Sequence, residues 1–319
     1  MKQLLPLAAA LALAGAARLA SAQAPSYTII DLGALPGDVS QAFAISQNGN
    51  NIVGRSFNTS ATPTSWNAAG AMTALPELGG RTNAVALGVD NSGVAVGTAS
   101  TTISGTNPLP LIWQNGQVSH LALPSGVTSG IAYDVNASNV AVGATGTTST
   151  AQAPLFSNGT ALLISGMSAA YAINNSGLAV GYGIDSVTGL RDGLAYNTAT
   201  GTSFAVGSLS GKNGAIGFDI SNTGYVVGAS VLNQPSTGLP FIWSQSGGLH
   251  AIPLVNGATG WSRTSNVSTA YGVSDSGVIV GTAVLNGVAH AYELVPTQAV
   301  PEPGSYACCW PDWPRRAAS

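Results

Sequence analysis

Residues 170–181, AYAINNSGLAVG, decide the fold, because close copies of this stretch recur along the chain. The other copies are AFAISQNGNNIVG (42–54), ALGVDNSGVAVG (86–97), AYDVNASNVAVG (132–143), GFDISNTGYVVG (217–228) and AYGVSDSGVIVG (270–281). Their closing glycines lie about 40 to 50 residues apart, which is a typical repeat length. The chain is therefore an array of six related units.

Each copy predicts two short strands joined by a hairpin turn. An Asn-Ser-Gly type of turn combines a polar side chain that caps the turn with a residue that adopts positive φ. Glycine adopts positive φ most readily, and asparagine is one of the few other residues that does. The repeat-turn positions are Gly49, Gly93, Asn139, Gly177, Gly224 and Gly277.

The strands of each copy are apolar on both faces. In residues 170–181, large and small apolar residues alternate, which predicts one large and one small face. A half-solvated sheet would carry polar residues on one face. We therefore expect both faces to be buried, with the large face of one sheet against the small face of its neighbour, as in stacked blades.

A second pair of predicted strands precedes each copy, and an aromatic residue ends the first strand of the pair. These aromatic residues are Trp66, Trp113, Phe156, Tyr196, Trp243 and, near the C-terminus, Tyr292. One unit thus contains four strands, which is the content of a propeller blade.

The two ends of the chain complete the last unit. Residues 27–32, YTIIDL, match a second strand that has no first strand before it, and residues 290–294, HAYEL, match a first strand. Pairing them removes two exposed sheet edges. The sequence predicts an all-β fold over residues 25–295, a six-bladed β-propeller of four-stranded blades closed by pairing of the N- and C-terminal strands. The alternative is an open β-solenoid with these strands as caps.

Ionic side chains are scarce. Charged residues make up 7% of the chain, against roughly 25% in an average soluble domain. This excludes a coiled coil, a basic nucleic-acid binder and a charge-rich disordered chain. Between residues 23 and 299, five basic residues accompany ten acidic ones, and there is no cysteine. Stability must therefore come from packing and ring closure, not from disulfides.

Two segments carry a resemblance to a known family. His290, Ala291 and Tyr292 stand near an H-A-F motif, and residues 31–37, DLGALPG, are similar to a D-L-G-x-L-x-G segment. With the A-x-x-I-N-x-x-G-x-x-V-G half of each unit, they resemble the HAF repeats of extracellular bacterial proteins. The other first strands lack the histidine, so the match there is diluted. The resemblance implies a secreted repeat protein with no established chemistry.

The N-terminus has the pattern of an export signal. Lys2 precedes an apolar stretch over residues 4–17, which is too short for a spanning helix. Ala20 and Ala22 then fit the small-x-small cleavage rule. We predict a signal peptide over residues 1–22, cleaved after Ala22.

The C-terminal tail resembles a sorting signal. Val300, Pro301, Glu302 and Pro303 match the V-P-E-P of the PEP-CTERM motif, which that family follows with an apolar helix and an arginine cluster. The resemblance implies processing by a membrane exosortase. We assign residues 296–307 to a linker and this PEP-CTERM-like motif.

The expected anchor does not follow the motif. Residues 308–319 contain two prolines and Asp312, so they cannot form a spanning helix. One permitted coding of residues 308–316, read two bases further on, gives the apolar stretch LLAGLAAA. We therefore predict a truncated or frameshifted tail, which resequencing of the locus tests, and regard Cys308 and Cys309 as accidental.

Linear catalytic motifs are absent from the sequence: it has no G-x-S-x-G, H-E-x-x-H or Walker-type loop. His120 and His250 each lie seven residues after a tryptophan, so we interpret them as one structural repeat position. The tryptophans could stack on sugars if exposed, but the blade core is the favoured interpretation.

Polar residues in the repeat turns are the remaining candidates for chemistry. Asp90, Asn136, Asn174 and Asp275 could touch calcium, but the spaced acids of a calcium loop are absent. Capping of the turns is the favoured interpretation. We assign no catalytic, cofactor-binding or metal-binding residue.

Together these features predict a secreted, noncatalytic repeat protein of the cell surface or exopolysaccharide matrix of a Gram-negative bacterium. Its predicted partners are an exosortase-like enzyme and glycans; nucleic acid, cofactors and a stable membrane span are not expected. A lectin-like propeller would instead show exposed aromatic and Asn/Asp clusters at equivalent blade positions. A propeller hydrolase would show an acid, a base and a nucleophile in one cleft.

Overall fold

The computed structural model describes residues 27–102, 105, 107–146, 151–184, 189–231, 239–244, 248–252, 261–262 and 269–297. All regular elements in these residues are strands. The chain enters through β1 (Tyr27–Asp31) and then builds five four-stranded antiparallel blades in succession. Blades 1 and 2 are β2 (Val39–Ile45), β3 (Asn51–Phe57), β4 (Ala61–Asn67) and β5 (Met72–Ala74), then β6 (Asn83–Val89), β7 (Ala95–Ser100), β8 (Leu109–Gln114) and β9 (Gln117–His120). Blades 3 and 4 are β10 (Gly130–Val135), β11 (Ala141–Thr145), β12 (Ala153–Ser157) and β13 (Thr160–Ile164), then β14 (Ala169–Ile173), β15 (Leu178–Ile184), β16 (Arg191–Asn197) and β17 (Thr202–Ala205).

Blades 5 and 6 complete the ring. Blade 5 is β18 (Gly214–Ile220), β19 (Val226–Val231), β20 (Leu239–Ser244) and β21 (Gly248–Ala251). Blade 6 contains β22 (Trp261–Ser262), β23 (Thr269–Val273), β24 (Ile279–Leu285) and β25 (Val288–Pro296), and both β22 and β23 pair with β24. Each blade packs against the next, and β2 of blade 1 packs against β24 and β25 of blade 6. The predicted six-bladed β-propeller is confirmed.

The two chain ends close the ring as predicted. β1 pairs antiparallel with β25 over five residues, from Tyr27 opposite Pro296 to Asp31 opposite Tyr292. The Asp31 carboxylate and the His290 imidazole, one on each strand, lie 2.9 Å apart. The last blade is therefore built from both ends of the sequence, and the open solenoid is excluded.

The grouping of strands into units differs from the sequence prediction. The aromatic strand pair shares a sheet with the repeat copy that precedes it, not with the copy that follows. For example, the copy at 86–97 forms β6 and β7, and β7 pairs with β8, which ends near Trp113. Strand pairs of two kinds alternate along the sequence, so the sequence does not show whether an aromatic pair joins the copy before it or the copy after it. The hydrogen bonds between β7 and β8 show that it joins the copy before it.

A β-bulge in the innermost strand of every blade changes which residues share a face. In β14 the register shifts between Ala170 and Ala172, which leaves Tyr171 without a partner in β15. Ile173 consequently packs with Ala170 on one side of the sheet, and Val180 packs on the other. The prediction that both faces are buried holds, but the prediction of one large and one small face is wrong because the bulge inverts the alternation.

The closing glycine of each copy lies opposite the bulge, and in five of the six copies the structure shows that glycine is required there. A Cβ atom on Gly181 would lie 2.1 Å from the backbone oxygen of Ala169. The same overlap, at 1.9–2.1 Å, would occur at Gly54, Gly97, Gly143 and Gly228. Only glycine allows the two strands to approach this closely.

The hairpin turns share one geometry. The repeat-turn residues have positive φ, from 56° at Asn139 to 86° at Gly224. The residue three positions earlier in each turn accepts hydrogen bonds through its side chain. Asn174 Oδ1, for example, accepts from the backbone N–H of Ser176 and of Leu178. Each turn is thus capped from within.

Neighbouring turns are also hydrogen-bonded to each other around the ring. The backbone N–H of Ala137 donates to Asn175 Oδ1, that of Asn175 donates to Asn222 Oδ1, and that of Asn222 donates to Asp275 Oδ1, at 2.6–2.9 Å. The turns of blades 1 and 2 are linked likewise, through Asn91 Oδ1. Blade 3 carries Ala137 at this position. The backbone N–H of Asn91 in blade 2 therefore has no side-chain acceptor in the neighbouring turn.

Ala137→Asn is expected to close this gap and to stabilise the protein. The new amide oxygen would accept the N–H of Asn91, and one such bond contributes about 1 kcal/mol. Thermal unfolding should show a midpoint raised by about 2 °C or more. Ala137→Leu has a similar size and no acceptor, so an equal rise in that variant would contradict the explanation.

Candidate binding site at the mouth of the central channel

The bulge residues of the six blades surround the propeller axis. They are Phe43, Leu87, Tyr133, Tyr171, Phe218 and Tyr271, one from each innermost strand. Together they line a cavity of about 180 Å³. Since every blade contributes one residue, this cavity lies on the axis. The bulge positions these side chains, because a residue without a ladder partner can turn away from both blade faces.

Five of the six side chains are aromatic and contact each other in sequence around the ring. Ring centroids lie 5.1 Å apart for Phe43 and Tyr271, 5.8 Å for Tyr271 and Phe218, 5.6 Å for Phe218 and Tyr171, and 4.6 Å for Tyr171 and Tyr133. The interplanar angles of 52–72° are those of edge-to-face and tilted pairs, which aromatic rings prefer. The channel is therefore narrow and has aromatic walls.

Two arginines extend this aromatic ring from opposite sides. The Arg55 guanidinium lies 5.7 Å from the Phe43 ring centroid, and the Arg191 guanidinium lies 4.5 Å from that of Tyr182. Tyr182 stacks on Tyr171 with centroids 6.0 Å apart. Arg55 and Arg191 belong to blades 1 and 4, which face each other across a six-membered ring. Cations held over aromatic faces are stabilised there even without a carboxylate.

The tyrosine hydroxyls of the channel stay protonated over a wide pH range. Burial raises the pKa of Tyr133 to about 12, and burial likewise raises the pKa of Tyr171, although the positive charge of Arg191 opposes both shifts. These hydroxyls are consequently neutral hydrogen-bond donors under ordinary conditions.

Two buried carboxylates join the blades close to the axis, one residue after the bulge. Asp134 Oδ2 in blade 3 accepts the Ile173 N–H of blade 4 at 2.8 Å. Asp219 Oδ2 in blade 5 accepts the Val273 N–H of blade 6 at 2.7 Å, and its Oδ1 accepts the Ile220 N–H. Both carboxylates thus serve as inter-blade acceptors.

Burial changes the ionisation of this pair. It raises the pKa of Asp219 from 3.8 to about 7 against the opposing effect of its two backbone N–H donors. Burial raises the pKa of Asp134 well above its ordinary value, and the charge of Asp219 raises it further. Both groups therefore keep their protons to a higher pH than ordinary aspartates do.

Stability is expected to fall as pH rises from about 4 to 7. In this window the folded protein retains the Asp219 proton and the unfolded chain has released it, so the folded state binds more protons and a rise in pH favours unfolding. Urea unfolding should give a higher midpoint at pH 5 than at pH 7.5. Asp219→Asn cannot titrate and should reduce the difference. An unchanged difference, or a lower midpoint at pH 5, would disprove the assignment.

A second kind of cavity lies between blades. A cleft of about 550 Å³ between blades 4 and 5 is lined by Asn197 and Phe204 on one side and by Gly224 and Trp243 on the other. Trp243 is half-buried and Phe204 is exposed. This cleft combines aromatic and amide side chains at the surface.

A smaller cleft of about 260 Å³ occupies the equivalent place between blades 2 and 3. It is lined by Gln114 and by Asn139 and Phe156, which correspond to Asn197, Gly224 and Trp243 of the larger cleft. The clefts recur because the repeat places a polar residue after the aromatic strand end and a turn residue opposite it.

The aromatic strand ends are mostly core residues, as favoured from the sequence. Trp66, Trp113, Phe156 and Tyr292 are each at most 3% exposed, whereas Tyr196 and Trp243 are half-buried. The Trp113 indole N–H donates to the backbone oxygen of Pro76 at 2.7 Å.

The two histidines that share a sequence spacing do not share a structural position. His120 lies opposite Leu111, two residues before Trp113. His250 lies opposite Ile242, which is only one residue before Trp243. The hairpin between these strands is one residue longer in blade 5. A shift of one residue moves a side chain to the other face of the sheet, so the predicted equivalence is wrong.

The turn residues cap their turns as expected, with one exception. Asp90, Asn136 and Asn174 accept backbone N–H groups of their own turns. Asp275 lies one position later and binds the neighbouring turn, while Ser274 caps its own. Within the described ranges, no three His, Cys, Asp or Glu side chains gather in a way that could hold a metal ion.

Several predicted sites lie outside the described residues. They are the cleavage residues Ala20 and Ala22, the sorting residues Val300, Pro301, Glu302 and Pro303, and the pair Cys308 and Cys309. The part of the chain that the structure covers has no helix with the length and hydropathy needed to cross a membrane.

Comparisons with known proteins support the fold and nothing beyond it. No protein-family model matches the sequence, and no curated protein matches it. Among solved structures, a gluconolactonase from Xanthomonas campestris superposes with a TM-score of 0.51 at 11% identity, over 85% of this chain and 89% of that one. TolB from Acinetobacter baumannii gives 0.46 at 17% identity over 69% of this chain, which spans only 53% of the TolB chain. At such identities the likeness is one of fold alone, in agreement with the β-propeller described above.

Proposed function

We propose that this chain is a noncatalytic propeller that acts outside the cell as a binding or structural module of a surface or exopolysaccharide matrix. The observation that carries the proposal is the use of the axial carboxylates. Propeller enzymes gather reactive groups around the channel, but here Asp134 and Asp219 accept backbone N–H groups from the next blade. Their oxygens thus hold the ring together, and the channel wall beside them is aromatic.

The cellular location of the protein is part of the proposal. The export signal over residues 1–22 and the V-P-E-P motif at residues 300–303 support secretion followed by exosortase-type processing. Cell fractionation of the native host should place the protein in the outer surface or medium fraction, with a mature N-terminus at Gln23. A cytoplasmic, uncleaved chain would contradict this part.

The noncatalytic role is tested by a hydrolase and lyase substrate panel run beside a glycan array. We expect no turnover by the wild-type chain. Turnover that Asp219→Asn abolishes, in a variant that still unfolds cooperatively, would make Asp219 a catalytic residue and overturn the proposal. Binding on the array without turnover would support a binding module, and silence in both assays a structural one.

A lectin-like role is the second candidate, and the recurring inter-blade clefts favour it. The larger cleft places Trp243 and Phe204 beside the amide of Asn197, and the smaller cleft has the same plan with a buried Phe156 in place of Trp243. If the array is positive through these clefts, Trp243→Ala should abolish the signal. Leu162→Ala removes a comparably apolar but exposed side chain in blade 3 and should leave the signal unchanged. Equal loss in both variants would exclude the cleft.

A further inference from the structure

We propose that the aromatic mouth of the central channel binds a sugar acid, a six-membered sugar ring that carries a carboxylate, as in a hexuronate unit. This inference rests on the binding role proposed above and deepens it, because it names a site and a class of ligand. The site consists of the axial cavity, which Tyr133, Tyr171 and Tyr271 help to line, and of Arg55 and Arg191, which lie outside that lining on opposite sides of the ring.

Two of the few cations of the protein stand at this mouth. The exported body has ten acidic and five basic residues, and two of the five are Arg55 and Arg191. Neither forms an ion pair with any described residue, and the one hydrogen bond of the Arg55 side chain joins its Nε to Gln41 Oε1 at 2.7 Å. Both guanidinium groups retain N–H donors, which match carboxylate oxygens in geometry and charge.

The Arg55 side chain is held at an energetic cost that an anion would offset. Burial lowers its pKa from the ordinary value, which means that the folded protein disfavours the charge in the absence of a counterion. The Phe43 and Phe57 rings, 5.7 and 4.5 Å from the guanidinium carbon, compensate for part of this cost. A bound carboxylate would supply the missing charge.

The remaining lining suits a ring that carries hydroxyl groups. The phenol groups of Tyr133, Tyr171 and Tyr271 make no hydrogen bond to any described residue, and the raised pKa values of Tyr133 and Tyr171 keep those two groups protonated as donors at neutral pH. Aromatic faces pack against the C–H face of a sugar ring, while its hydroxyl oxygens accept from the phenols. An inorganic anion would leave the aromatic surface unused, and a flat aromatic acid would leave the phenols unpaired.

The size of the site limits the ligand to one ring. The axial cavity measures about 180 Å³, below the roughly 300 Å³ at which pockets for drug-sized ligands begin. The ligand is therefore either a free sugar acid or the terminal unit of an acidic oligosaccharide. Both have the same chemistry at the site.

Isothermal titration of the wild-type chain with sodium glucuronate tests the proposal, with glucose and acetate as comparators. Glucuronate should bind at least about tenfold more tightly than glucose, which lacks the carboxylate, and than acetate, which lacks the ring. A glucuronate-terminated tetrasaccharide distinguishes the two sources. Tighter binding than the free acid indicates a polymer end, and weaker binding indicates the free sugar; both support the site.

Three variants assign the binding to the channel mouth. Arg55→Gln should weaken glucuronate binding by about tenfold or more, whereas Arg191→Gln, which removes the charge on the opposite side of the ring from the bound carboxylate, should weaken it less. Tyr171→Phe, which keeps the ring, should weaken binding by about threefold or more. Lys212→Gln removes one positive charge from a loop before β18 and should change binding by less than about twofold. Thermal unfolding of each variant checks that it is folded.

Some outcomes would overturn the inference. They are equal binding of glucose and glucuronate, unchanged binding in both arginine variants, and no binding of either glucuronate ligand by the wild type. If the glycan array is positive and depends on Trp243 while the arginine variants bind normally, this inference fails and the proposed binding function stands. Turnover on the substrate panel would instead overturn the proposed function.

Discussion

A chain without β1, beginning at residue 33, is expected to lose its cooperative fold. The deletion removes the five-residue ladder between Tyr27–Asp31 and β25. It also uncovers the apolar cluster of blades 5 and 6, against which Tyr27 and Ile29 pack. The open ring then has an exposed strand edge. The loss should be comparable with the roughly 5–15 kcal/mol that stabilises an ordinary domain.

A circular permutant provides the matched control for this deletion. Because Tyr27 lies opposite Pro296, a short Asn-Gly turn after residue 297 can lead directly into residues 27–32 and form a hairpin. We expect the permutant, which begins at residue 33, to recover cooperative melting and a monodisperse elution profile. If the deleted chain melts at the wild-type midpoint, or the permutant does not recover, closure is not the stabilising feature.

Gly181→Ala is expected to destabilise the protein by about 3 kcal/mol or more, although it adds a single methyl group. The new Cβ would lie 2.1 Å from the Ala169 backbone oxygen, so the bulge must open or the strands must separate. Forced overpacking of this kind costs about 1–3 kcal/mol when side chains can adjust, and here the obstacle is backbone. Chemical denaturation with a constant slope measures the change.

Gly79→Ala is the control for this substitution. A Cβ at Gly79 would meet nothing within 4 Å, and its φ is not in the positive region. We expect a change of no more than about 0.5 kcal/mol in the free energy of unfolding. Equal losses at Gly79 and Gly181 would show that the close approach at the bulge is not the cause, because Gly→Ala without a clash restricts the unfolded chain and should not destabilise the protein.

The fold could be predicted because the repeat carries its own geometry. In each copy, the turn residue with positive φ and the closing glycine together define a hairpin. A chain of six such hairpins is compatible with few all-β architectures. The closure was readable from YTIIDL and HAYEL, because a strand without a partner at each end of a repeat array requires one. Which strand pair joins which copy was not readable, because both orders give the same alternation along the chain.

The candidate site was hidden by the bulge. Period-two alternation alone places Tyr171 and its counterparts on a blade face, as one more large residue. The bulge removes them from both faces, and its signal is the glycine that ends each copy, eleven residues after the bulge residue in the first copy and ten in the other five. An aromatic residue at the second position of a copy, together with the closing glycine, indicates a bulge in the strand opposite that glycine. The contributions of Arg55 and Arg191 could not be inferred, because they lie outside the repeat.

The inter-blade roles of Asp134 and Asp219 were also missed. Only two of six copies carry an aspartate at that position, so a comparison of repeats treats it as variation. The His120 and His250 error has the same origin in reverse. Equal spacing along the chain does not give the two histidines equal positions, because the longer hairpin of blade 5 shifts the pairing by one residue.

The near absence of ion pairs has a consequence for where such a ring can operate. In the ranges described here, the Asp31–His290 pair is the one salt bridge, and hydrogen bonds from backbone N–H groups to amide and carboxylate oxygens link the turns. Dissolved electrolytes screen exposed charges and leave such contacts almost untouched. The molecule is therefore built to keep the same shape in fresh water and in brine.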